Sequence, residues 1–75
     1  MYLAEVSVGT EVSIENLGML DNNLRRRLIS LGFHEGCKLR VKQKGMLNGP
    51  CTLESKGQLI SIRCKDASII EVRIP

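Results

Sequence analysis

The stretch RRRLISLGFHEGCKLRV, residues 25–41, changes its period in the middle. Up to Leu31 the apolar residues keep helical spacing: Leu24, Leu28 and Leu31 stand at i, i+4 and i+7 and form one stripe on a cylinder. After Gly36 they alternate. Cys37, Leu39 and Val41 point one way while Lys38, Arg40, Lys42 and Lys44 point the other, the pattern of a strand with one buried face. Between the two regimes, Gly32 is placed to stop the helix in a left-handed conformation, so that Phe33 folds back on Leu28. At the other end Asp21 is placed to accept a hydrogen bond from the free N–H of Asn23 or Leu24. A helix of roughly ten residues and about 15 Å, at ~1.5 Å per residue, then enters a strand through a glycine turn.

Outward from this join, period two dominates. Val12 and Ile14 alternate with Glu11, Ser13 and Glu15. Downstream, Pro50–Ser55 and Gln58–Cys64 read as strands joined by Lys56-Gly57, a pair suited to a tight hairpin turn. Ile70, Val72 and Ile74 against Glu71 and Arg73 make a last strand. About five short strands, with one helix between the first and second long ones, predict a mainly β fold: a small barrel plugged at one end. The chain has 75 residues with neither linker nor repeat, so residues 1–75 read as one domain.

The composition, 43% hydrophobic and 25% charged, is that of a folded soluble chain, and no segment is long and apolar enough to cross a bilayer. The opening MYLAEVSVGTEV lacks the basic leader and apolar run of a secretory signal, which points to a cytosolic address. Three cysteines make no disulfide framework. Cys37, Cys51 and Cys64 each share strand parity with apolar neighbours and are expected in the core. That parity argues against a metal site joining His34-x-x-Cys37 to the other two thiols. A weak divalent-metal site from His34 and Glu35 on the surface is the alternative, and no cofactor is required. With one histidine and no phosphate-cradling glycine loop, nothing supplies a base or an anion hole, so the chain reads as a non-enzyme.

The formal charge is +3 and the pI about 9.0. The arginines Arg25, Arg26 and Arg27 project from the helix away from or beside its apolar stripe. The strand cations Lys38, Arg40, Lys42 and Lys44 share one face, where they repel each other unless something acidic lies against them. A basic docking face follows as a hypothesis. The hairpin tip GMLNGP, residues 45–50, places Met46 and Leu47 where polar residues are usual. Either they fold under and cap the barrel or they anchor a contact. Nucleic acid is the lesser alternative, because Tyr2 and Phe33 are the only aromatics and Phe33 is already used in packing.

Taken in order, VGTEVSI at residues 8–14, LRRRLISLGFHEG at 24–36, CKLRVKQK at 37–44, MLNGP at 46–50 and GQLISIRCKDASIIEV at 57–72 resemble the FeoA family over nearly the whole chain. Glu35 stands where that family often has proline, and Met46 and Asn48 where its loop more usually has proline and glycine. The resemblance implies an SH3-like barrel and a part in bacterial ferrous iron uptake, acting on the cytosolic GTPase portion of the membrane transporter FeoB. A transition-metal-binding or metal-sensing module is the alternative it carries. Under the first reading, Arg25, Arg26, Arg40 and Lys42 steer the partner, and Met46 and Leu47 anchor it.

Overall fold

In a computed structural model that describes residues 1–75, five strands form one antiparallel sheet in the order β4-β3-β2-β1-β5. They are β1 (Glu11–Asn16), β2 (Lys38–Lys44), β3 (Cys51–Ser55), β4 (Gln58–Ile62) and β5 (Glu71–Arg73). Helix α1 (Asn22–Ser30) lies between β1 and β2, and a short helix α2 (Cys64–Ala67) between β4 and β5. A single 3-10 turn, Leu3–Glu5, precedes β1. The fold is mainly β with one principal helix, as the alternation predicts.

The local signals of the opening stretch are realised bond by bond. Asp21 accepts from the Leu24 N–H at 3.1 Å and so satisfies one of the free donors of the first turn. Gly32 takes φ +94°, its N–H donates to Ile29 O at 3.0 Å, and the Phe33 N–H donates to Leu28 O at 2.8 Å. Those two bonds are the Schellman pair, and they fold Phe33 inward onto Leu28. Both side chains are fully buried, while Leu24 and Leu31 pack at the margin of the core. The core itself is one cluster of 17 residues fed by all five strands and by Leu17, Leu20, Leu28 and Phe33. At the β3–β4 turn, Lys56 and Gly57 have φ 51° and 83°, the type I′ geometry that matches the twist of a two-residue hairpin.

The structure departs from the simple alternation in three places. A bulge shifts the β2–β3 register between Val41 and Gln43, so Arg40 faces Glu54 but Lys44 faces Cys51. Lys44 is therefore half-buried, with its Nζ donating to Ala4 O at 2.9 Å, and the outward row shrinks to Lys38, Arg40 and Lys42. Next, β4 ends at Ile62, because Arg63 takes the extended conformation of a helix N-cap and the chain turns into α2. Cys64 thus opens α2 and is only half-buried; the expectation that it is a core strand residue is corrected. Cys51 does lie in the core cluster. Cys37 is buried outside that cluster, with its thiol 3.2 Å from Ser55 Oγ and 3.3 Å from Lys38 O, at a polar margin rather than in a dry interior. Last, β5 stops at Arg73 and leaves Ile74 exposed.

Candidate interaction surface

The β2–β3 hairpin ends in a tip built by two glycines. The Gly45 N–H donates to Pro50 O at 2.8 Å, and the Gly49 N–H donates to Met46 O at 3.0 Å. A Cβ on Gly45 would sit 2.8 Å from Gly49 Cα, so the two backbones pass at a distance that no side chain permits. Between them Leu47 and Asn48 adopt φ 53° and 62°. Asn tolerates that left-handed region; Leu does so at a cost of about 1 kcal/mol. The result is a loop that turns its two apolar side chains outward, leaving Met46 88% and Leu47 97% exposed. Of the two fates open to these residues, covering the barrel end or standing clear of it, the backbone imposes the second.

The cations divide into two groups. On β2, Arg40 donates to Gly9 O and lies 3.8 Å from a Glu11 carboxylate oxygen, a half-exposed pair that contributes little to stability. Lys38 and Lys42 are exposed and have no ion-pair partner. On α1, Arg25 is half-buried and donates to Asn22 Oδ1 at 2.6 Å, whereas Arg26 and Arg27 are exposed and unpaired. The two groups border different depressions. Lys38 and Arg40 rim a cleft of about 470 Å³ together with Glu11, His34, Glu54 and Lys56. Arg27 faces a separate crevice of about 350 Å³ beside Ser61, Arg63 and Asp66. The cleft escaped the sequence reading, since it forms only when the Lys56-Gly57 turn is brought beside the His34–Gly36 turn.

His34 and Glu35 fill structural roles. The exposed His34 places Nδ1 3.0 Å from Glu35 O, and Glu35 Oε2 accepts from the Leu17 N–H at 3.1 Å, tying the turn to the end of β1. Nowhere do three His, Cys, Asp or Glu side chains converge. The residues present do not fit a closed zinc site, which takes four ligands of nitrogen, sulfur or carboxylate. Burial pushes the Cys51 thiol above its ordinary range; neighbouring Cys64 adds to the rise and Lys44 opposes it. A thiol held protonated in this way is a packing group, not a ready ligand or nucleophile.

A small SH3-like domain is the class of protein this fold defines. The FeoA domain model matches residues 1–74, and the chain belongs to that family of ferrous iron transport accessory proteins. The chain is similar to the FeoA protein of Chlorobium tepidum at 31% identity, covering 99% of this chain and 70% of that one, with a TM-score of 0.91. It is similar to iron(II) transport protein A of Clostridium thermocellum at 26% identity, covering 99% of this chain but 45% of that one, with a TM-score of 0.84. The zinc-complexed FeoA of Stenotrophomonas maltophilia, described as an SH3 domain protein, is 28% identical over 96% of this chain and 88% of its own, with a TM-score of 0.78. No curated protein matches the chain significantly. No helix is long and apolar enough to cross a membrane.

Proposed function

We propose that this chain is a cytosolic adaptor of ferrous iron uptake that docks on the GTPase portion of a FeoB-like membrane transporter. The observation that carries the reading is the exposure of Met46 and Leu47 on a tip whose backbone is fixed by Gly45 and Gly49. Burying such side chains in a partner's pocket is worth about 1.5–3 kcal/mol each, and a pre-formed loop loses little entropy in doing so. Arg25, Arg26, Arg40 and Lys42 act at longer range, by steering an acidic partner surface. No cofactor takes part.

The test is affinity capture from cytosol and from solubilised membranes, with the wild-type chain beside Met46→Asp/Leu47→Asp. A FeoB-like GTPase recovered by the wild type and lost from the double variant supports the reading; equal recovery removes the tip from it. Arg40→Glu/Lys42→Glu is expected to slow association with the recovered GTPase, and most at low salt.

The zinc complex of the S. maltophilia relative prompts a second reading, a weak divalent-metal site at His34 and Glu35. Titrating the reduced protein with zinc while following the His34 imidazole by NMR tests it, and a shift that saturates in excess zinc and fits a single site would favour it over the adaptor. Nucleic-acid binding, the lesser alternative, predicts affinity that falls steeply with salt.

A further inference from the structure

The two edges of the sheet are finished differently. Along β5 the N-terminal segment lies as a cover: Val72 N–H donates to Met1 O and Leu3 N–H to Ile70 O, both at 2.9 Å, and Tyr2 bridges Glu71. β4, at the other edge, has no neighbour beyond β3. Its two-residue turn makes Ser55–Gln58 a hydrogen-bonded pair, and antiparallel alternation then makes Leu53–Ile60 and Cys51–Ile62 the next ones. Leu59 and Ser61 therefore aim their N–H and C=O groups away from β3, and no turn, loop or cap takes them up. The strand, QLISI, carries no charge, no proline and no bulge, so it lacks the devices that keep an edge from pairing. Leu59 adds an apolar side chain that is 56% exposed.

We infer that β4 is a self-pairing edge, joining two copies of this chain antiparallel about a two-fold axis at Ile60. Register selects this arrangement. With the axis at Ile60, Leu59 lies opposite Ser61 of the second copy and Ser61 opposite its Leu59, so every outward-directed group of both strands is used and four bonds form. Moving the axis to Leu59 would require Gly57 to pair, and its N–H already donates to Glu54 Oε2 at 3.0 Å. Moving it to Ser61 would require Arg63, which is already the N-cap of α2. In the chosen register Arg63 falls opposite Gly57 and Lys56 opposite Cys64, so no like charges oppose each other, and the two Leu59 side chains meet diagonally on one face. A strand without charge selects no foreign sequence, whereas its own copy matches it in bonding pattern, charge and apolar contact. At the Ser61 end the strand borders the crevice lined by Leu24 and Arg27. None of this involves the Met46–Leu47 tip.

Sedimentation velocity and amide hydrogen exchange, each run from micromolar to millimolar protein, test the pairing. The expected result is a reversible dimer in which exchange at the Leu59 and Ser61 amides slows by roughly tenfold as concentration rises, with the Asn48 amide unchanged. Leu59→Lys, at a solvated position, is expected to keep the fold and shift the protein to monomer; Met46→Asp/Leu47→Asp is expected to leave the dimer intact. A protein that stays monomeric at millimolar concentration overturns the inference. So does a dimer that Leu59→Lys does not weaken, or one that leaves exchange at Leu59 and Ser61 independent of concentration.

Discussion

Two hairpins share strand β3, and they are built to opposite ends. The β3–β4 hairpin keeps an unbroken register from Ser55–Gln58 to Cys51–Ile62 and closes with a polar two-residue turn that Glu54 steadies by accepting from the Gly57 N–H. Its turn and its inner register serve the chain's own closure, and only the outer edge of β4 is left free. The β2–β3 hairpin carries a bulge, a wider tip, a glycine pair in backbone contact and a leucine held in the left-handed region with its side chain almost wholly in water. The bulge ties Lys44 to Ala4, but nothing at the tip stabilises the barrel. An apolar residue kept exposed at a conformational cost fits a contact outside the molecule, and the two turns separate what closes the chain from what it presents.

The severest way to break the comparison is to strike the strand that both hairpins use. Leu53 is 1% exposed and pairs with Val41 on one side and Ile60 on the other. Leu53→Ala is expected to destabilise the protein by about 2–5 kcal/mol through lost burial and a residual cavity, measured by urea denaturation. Both hairpins should lose amide protection together, and loss confined to one of them would show that they do not fold as a unit.

Smaller effects tell the tips apart. In Gly45→Ala the new methyl collides with the Gly49 backbone at 2.8 Å, which the loop relieves only by opening, at about 1–3 kcal/mol. In Gly57→Ala nothing lies within 4 Å of the added Cβ, so the cost is the φ of +83° alone, about 1 kcal/mol. The two should differ in function more than in stability: the first alters how Met46 and Leu47 are presented, the second does not touch them. If Gly57→Ala were to impair capture of the GTPase as much as Gly45→Ala, the division of labour between the hairpins would be wrong.

Most of the fold was legible because its decisive signals are local. Asp21, Gly32 and Phe33 act within five residues of their partners, and Lys56-Gly57 declares a turn by its own conformational preference. Parity arguments fail where one residue is added or a strand stops. The bulge after Val41 turned Lys44 inward to meet Ala4, and a four-residue α2 too short to show a period took Cys64 off its strand. Contacts between residues far apart in sequence left no trace. The Glu35 bond to Leu17, the cover that Met1 and Leu3 place over β5, and the cleft beside His34 all require the folded chain. At the tip, the sequence revealed the unusual residues but not whether they faced in or out; the close approach of Gly45 and Gly49 decided that.

The smallest expected change carries the opposite sign. Leu47 sits at φ 53°, where a leucine side chain crowds its own backbone and an asparagine can hydrogen-bond locally instead. With 97% of the leucine already in water, Leu47→Asn gives up almost no burial and relieves the crowding. It is therefore expected to raise stability by about 0.5 kcal/mol, read as a higher urea midpoint at unchanged slope. Capture of the FeoB-like GTPase should weaken in the same variant, because the anchor is gone. A chain that becomes more stable as it loses its partner has kept that leucine for the contact. Stability and capture falling together would mean that Leu47 packs on the barrel in solution, and the tip would then belong with the β3–β4 turn as a device of folding.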